Sequence, residues 1–311
     1  MKVLLLSPKE APSYTEALYV ALRGQVGTCD YFPLEANQSS NLAEFFHRHI
    51  RLEHFDRIIL MFPPTFIHRH SPFLRHLPTL AVLALEQRRQ PREQLKKSLS
   101  NLKTMPWLRW IGSNAELCRA YQGEGYDAYW VPPVFDNRHF NNRQGQRAQS
   151  HCHIYGPPRV HSYFRTALAS RGLPLHFYNS EQNPDLSGRL MGEDIFIYWG
   201  EDGNDVEPLI KALACGTVVI CRPVPMEERV LYDWRAEENI VFAQDLDNAT
   251  DRVLLALNNP LFRQELARNG VEKAKAFLPS AVGKRIGRYV EIAVRNPRNY
   301  PMRQRIFGFD I

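Results

Sequence analysis

Residues 56–62 read Asp-Arg-Ile-Ile-Leu-Met-Phe and stop at Pro63-Pro64. An apolar run this short, without polar alternation and closed by prolines, fits a strand covered on both faces. Similar runs recur at 2–7, 79–85, 108–111, 128–131, 153–155, 175–178, 194–199, 217–221 and 240–242, with a weaker one at 29–33. Segments of helical period lie between them, at 14–22, 42–52, 92–99, 114–121, 160–169 and 206–214, and helices follow from 249 onward. Strands alternating with helices predict βαβ units and parallel sheets, an α/β chain. Asn114 and Asp245 stand where a helix needs an N-cap.

The chain has 311 residues, enough for two domains at about 100–200 residues each. Residues 137–150 are polar and aperiodic and divide the alternation, so they read as a linker between residues 1–136 and 151–290. No apolar run approaches the roughly 20 residues that span a bilayer, and residues 1–8 read as a first strand, without a cleavage pattern. Five cysteines at unrelated spacings fit a reducing cytoplasm better than a disulfide framework. The formal net charge is +6, concentrated at residues 88–109 and 284–305. Such clusters favour anionic partners, membrane lipid or nucleic acid among them, and a solvated basic face is the plain alternative. In the first cluster, Trp107 and Trp110 flank Arg109 and suggest peripheral contact with the inner membrane surface or a phosphate backbone.

Ligands of open parallel sheets bind beyond the carboxyl ends of the strands. That directs attention to 7–14, 63–70 and 86–90 in the first half, and to 156–159, 180–182, 200–205 and 222–228 in the second. Residues 200–216 form a strand end, a polar loop, a helix and a glycine stop at Gly216. The start of such a helix suits a phosphate or carboxylate. An ordinary βαβ unit would read the same way.

Residues 207–220 (EPLIKALACGTVVI) resemble the donor-site helix of the GT-B glycosyltransferases related to glycogen and sucrose synthases, whose pattern runs roughly P-x-x-E-A-x-A-C-G-x-P-V-V. Glu227-Glu228, the strand and Asp at 240–245, Asn259–Leu266 within the helices at 254–277, and the crossing at 131–140 with Pro132, Asp136 and Phe140 follow in the family's order. The glycine loop at 156–165 is also similar to that of spore-maturation glycosyltransferase-like proteins. The resemblance covers residues 127–290. It implies two Rossmann-like domains with parallel sheets facing across a cleft, an acceptor domain at 1–136, a donor-binding domain at 151–290, and a C-terminal segment, 291–311, packing back on the first with Phe307 and Phe309. It further implies a transferase that moves a sugar from a nucleotide-sugar donor to an anionic or membrane-associated acceptor, such as a glycan, a lipid-linked glycan or modified DNA. The implied chemistry is metal-independent and retaining, with no cofactor beyond the donor.

Donor-site candidates are Gly156, Arg159, Arg165, Glu201, Glu207, Lys211, Arg222 and Glu228. Arginine forks and helix N–H groups are suited to stabilising the charge of a leaving diphosphate. Glu86 and His68 are the candidates for orienting or deprotonating an acceptor hydroxyl. No ligand spacing suggests a metal, and Asp245-Leu246-Asp247 reads as a helix cap rather than a metal motif. Two features depart from the family pattern. Lys211 stands where a ribose-binding Glu is expected, and Lys cannot accept a hydrogen bond. The glycine loop after the first strand is replaced by Pro8–Tyr14. Three readings of Lys211 stay open: Glu207 or Glu201 replaces the Glu, Lys211 pairs with donor phosphate, or donor binding is lost. The last would leave a non-catalytic binding or scaffold protein. An epimerase of the same fold would need an acid and a base in one pocket, and no such pair stands out.

Overall fold

A computed structural model describes all residues except 11–13, 78–80, 87–91, 143–149, 179–188, 191–193, 201–205, 301–304, 307–308 and 311. The chain divides into two compact units, Met1–Val134 with Pro279–Ile311, and Phe135–Leu278.

The first unit contains β1 (Lys2–Pro8), α1 (Tyr14–Arg23), β2 (Thr28–Leu34), α2 (Ala36–Ser40), α3 (Leu42–His49), β3 (Arg57–Leu60), α4 (Pro64–Arg75), β4 (Ala81–Glu86), α5 (Arg92–Lys103), β5 (Arg109–Gly112), α6 (Ala115–Gly123) and β6 (Ala128–Trp130). Its six strands are parallel in the order β2-β1-β3-β4-β5-β6. The register explains why the strands are apolar without alternation. Leu4, Leu6, Ile58 and Leu60 enter one core with Trp110, while Val3, Leu5 and Ile59 enter another on the opposite face with Ile111. Asn114 caps α6, its side chain accepting from the Leu117 amide at 3.0 Å.

The second unit contains β7 (Cys152–Tyr155), α7 (Pro158–Ala167), β8 (Leu175–Tyr178), β9 (Ile195–Tyr198), α8 (Val206–Ala214), β10 (Val218–Cys221), α9 (Met226–Tyr232), β11 (Val241–Phe242), α10 (Leu246–Asn258) and α11 (Pro260–Ala274). Its five strands are parallel in the order β11-β10-β9-β7-β8. Renumbered from its own first strand, this is the order of the first unit without its last edge strand. Two halves with no residue-level repeat thus share one topology. Asp245 caps α10 through the Asn248 amide at 2.8 Å, as its position predicts.

The helix that follows, α12 (Pro279–Glu291), belongs to the first unit. Sequence alternation alone groups it with residues 151–290. Packing decides otherwise, because Val282, Ile286 and Val290 are buried against Leu18 and Leu22 of α1. Beyond it, Arg295 donates to the carbonyls of Pro106 and Gly125, and Tyr300 packs on the core of the same unit. Phe307 and the Phe309 side chain lie outside the described residues.

The basic stretch at 88–109 is not one surface. Arg109 is 2% exposed, and Trp107 and Trp110 are buried in the core. They therefore offer neither membrane anchors nor phosphate contacts. Lys96 and Lys97 remain exposed on α5. All five cysteines are buried free thiols. Among the described residues, no helix is long and apolar enough to cross a membrane.

Candidate functional site

In the second unit the strand order reverses between β7 and β9, where the chain leaves the two strands in opposite directions, and open α/β sheets bind ligands in the crevice outside such a reversal. The two loops there touch. Gly156 donates its amide to the Tyr178 carbonyl at 2.9 Å, and the Trp199 amide donates to the Tyr155 carbonyl at 2.7 Å. A Cβ on Gly156 would stand 3.1 Å from the Trp199 carbonyl oxygen and 3.3 Å from the Val160 side chain. Glycine thus lets the backbone of one loop lie against the other. Gly156→Val is expected to cost about 1–3 kcal/mol by overpacking and to weaken any ligand held there. A melting temperature and a nucleotide-binding constant equal to those of the parent would refute this.

Tyr178, Tyr155 and Tyr198 form a cross-strand row at the last strand positions, ended by Cys221. Tyr155 and Tyr198 stack with centroids 5.1 Å apart. The Arg222 guanidinium, just past β10, sits 5.0 Å over the Trp199 ring. These aromatic residues were not singled out from sequence, although a tyrosine closing each of three strands was visible.

Of the donor-site candidates, Gly156, Arg159 and Arg222 reach this edge. Arg159 is exposed in the first turn of α7 and Arg222 is half-buried. Glu228 is half-buried in the first turn of α9, which follows β10. Glu207 opens α8 at the same edge. Lys211 lies one turn further along α8, paired with Glu207 at 2.7 Å and 5.0 Å from the centre of the Phe140 ring. Arg165 stands apart. It is in the last turn of α7, with its guanidinium 5.0 Å from the Phe177 ring centre, away from the helix start that faces the crevice. Glu201 lies outside the described residues.

Asp136 and Phe140 shape the approach to Lys211. Asp136 is 3% exposed and accepts from the Arg138 guanidinium and backbone amide, while its carbonyl accepts from the Phe140 amide. The Arg138 hydrogen bonds hold its carboxyl below the usual range, against the opposing effect of burial. This turn seats Phe140 beneath the Lys211 ammonium. Gly216 ends the loop after α8 with φ of 75°, where its Cβ would meet the Asn142 side chain at 3.0 Å.

In the first unit, His68 lies inside α4 rather than on a loop, exposed, with Nδ1 3.1 Å from Thr104 Oγ1. Glu86 closes β4 opposite Gly112 of β5, and its side chain is outside the described set. The described residues therefore bring no acid–base pair together in this unit. At the end of β1, Ser7 Oγ and the Tyr31 hydroxyl lie 2.9 Å apart. The open depression of 420 Å³ lined by Asp233, Arg235, Glu238 and Lys273 holds charges already paired with one another, and Asn239 in its wall precedes β11, at the edge opposite the crevice.

No family model and no curated protein matches the sequence. Solved structures do match its fold. Anabaena Alr3699/HepE in complex with UDP is similar over 93% of this chain and 99% of its own, with a TM-score of 0.58 at 10% identity. A glycosyltransferase from Rickettsia africae ESF-5 matches over 93% and 97%, with a TM-score of 0.56 at 9% identity. The lipopolysaccharide outer core galactosyltransferase WaaB in its apo form matches over 93% and 99%, with a TM-score of 0.53 at 8% identity. The fold is thus the GT-B fold of glycosyltransferases, as the resemblance at 127–290 implies.

Proposed function

We propose that the chain is a glycosyltransferase that takes its sugar from a nucleotide diphosphate donor held by the second unit. The observation that carries this reading is the pair of touching loops at the strand-order reversal, Gly156 against Trp199, in a fold whose matched HepE structures hold UDP and UDP-glucose. A diphosphate there would meet the Arg159 guanidinium, the start of α8 and Arg222, cations and N–H dipoles that stabilise charge as it develops on the leaving group. Glu228 supplies a carboxylate that can accept from ribose hydroxyls. The tyrosine row offers an apolar floor. On this reading transfer proceeds without a metal at the diphosphate and with retention, onto an anionic or membrane-associated acceptor, in the cytoplasm.

A second reading, a glycosyltransferase-like binding protein without turnover, is favoured by one observation. Lys211, where the resemblance expects a carboxylate, is committed to Glu207. Lys211 itself offers a ribose no acceptor, and its ammonium offsets the charge of the Glu207 carboxylate beside it.

Thermal unfolding in UDP, GDP, dTDP, ADP and CMP, with their sugars, tests both. One nucleotide is expected to raise the melting temperature, with Arg159→Ala weakening its binding about tenfold, the 1.4 kcal/mol of one charge-assisted contact. Donor hydrolysis or transfer then separates the enzyme from the binder. No stabilisation by any nucleotide would overturn the donor site itself.

A further inference from the structure

We infer that His151, His153 and His176 form a binding site for a divalent transition metal of the zinc class, on the second unit and apart from the crevice. Strand geometry makes the cluster. His151 and His153 are two residues apart along β7 and its approach, so they share a face, and His153 pairs directly with His176 of edge strand β8. One ring nitrogen from each lies within 4.8 Å of the other two, and His176 Nε2 and His151 Nδ1 are 3.0 Å apart. The rings of His153 and His176 stack at 4.8 Å, and those of His151 and His176 lie 5.0 Å apart.

Nitrogens around a tetrahedral zinc ion, at about 2.0–2.1 Å each, stand about 3.3–3.4 Å from one another. The cluster brackets that spacing, so small ring rotations of the half-buried His151 and the exposed His176 would close it. The central histidine is already oriented. His153, 1% exposed, has Nε2 3.2 Å from Asp194 Oδ2 and Nδ1 3.0 Å from the Tyr178 hydroxyl. A metal would replace one of these contacts, and the other would hold the ring. Asp194 is fixed as well, accepting the His151 amide on Oδ1 at 2.9 Å. Metal-bound imidazoles characteristically have such a carboxylate behind them. Three neutral nitrogens select zinc, cobalt, nickel or copper over calcium or magnesium. Three protein ligands leave a fourth position for water, and the bound ion would tie edge strand β8 to β7. The histidines lie toward the amino ends of the strands and the crevice beyond their carboxyl ends, with Tyr178 reaching both, its hydroxyl on His153 Nδ1.

The test uses the full chain freed of any affinity tag and stripped with EDTA, then dialysed against Zn(II), with bound metal measured by elemental analysis. About one equivalent per chain is expected, together with a rise in melting temperature. Co(II) should give the intense visible absorption of a tetrahedral site. His176→Gln should weaken Zn(II) binding about 10–100-fold, and His151→Gln should do the same, covering the case in which one variant fails to fold. His47→Gln, exposed on α3, should bind as the parent does. Binding well below one equivalent by the parent would overturn the site, as would undiminished affinity in a folded variant of the cluster or octahedral cobalt spectra.

Discussion

Replacing Arg109 with Ala should destabilise the first unit by about 3–5 kcal/mol, the range for breaking a buried ion pair from one side. Its guanidinium pairs with Asp127 at 2.9 Å and donates to the carbonyls of Tyr289, Ile292 and Ala293 at 2.7–2.8 Å. These carbonyls close the end of α12, where a helix has no internal donors left. The Arg109 guanidinium also lies 5.2 Å from the centre of the Tyr129 ring. Truncation leaves a carboxylate that is 9% exposed and several carbonyls without their donor. Arg109→Lys would keep the charge and lose the fork, so it should recover only part of the loss. Urea unfolding followed by tryptophan fluorescence would report both, since Trp107 and Trp110 are buried in the core of the same unit. A shift for Arg109→Ala below about 1 kcal/mol, as for a surface ion pair, would refute this role for the buried guanidinium.

Arg109 also shows where sequence reasoning stops. From sequence it belongs to a basic stretch with two tryptophans, the pattern of a surface that meets lipid or phosphate. Besides Asp127, its partners are carbonyls some 180 residues away, brought close only when α12 docks. No local period reports that. The histidine cluster hides for the same reason: the spacing of 151 and 153 is visible in the chain, but the third ligand depends on the β7–β8 register. What was legible rests on short-range physics. Continuous apolar strands announce two covered faces, and Asn114 and Asp245 announce helix starts. The site was half legible. Positions just past strands pointed to Gly156, Arg159 and Arg222, whereas the Trp199 ring beneath Arg222 and the Phe140 ring beside Lys211 needed the fold. His68 lies in a helix rather than in the loop past a strand because Pro63-Pro64 ends a strand and also begins a helix: Pro64 takes the first turn of α4, which carries His68 into the helix body.

Gly283→Leu should cost about 3 kcal/mol and loosen α12 from the first unit. A Cβ at this position would stand 2.8 Å from the Ala21 Cβ and 3.3 Å from the Ala21 carbonyl carbon, atoms that cannot rotate away. One turn on, a Cβ at Gly287 would meet the Gln25 Cβ at 3.1 Å. Two glycines four residues apart on one helix face thus let α12 lie close along α1, which brings Val282, Ile286 and Val290 into the core with Leu18 and Leu22. Larger side chains force the helices apart, and the loss spreads along the whole apolar seam because interiors this dense do not absorb extra volume locally. Gly283→Ala sets a smaller clash of about 1–3 kcal/mol against the roughly 1 kcal/mol by which Ala favours a helix over Gly, so it should be mildly destabilising. Gly123→Ala is the control. It lies in α6 with nothing within 4 Å of its would-be Cβ, so propensity acts alone and stability should hold or rise. Hydrogen exchange localises the effect: amides of α12 and α1 should lose protection in Gly283→Leu before those of β1 and β3. An unchanged unfolding midpoint in Gly283→Leu would mean that α12 docks without the close approach, and the small-residue seam would lose its role.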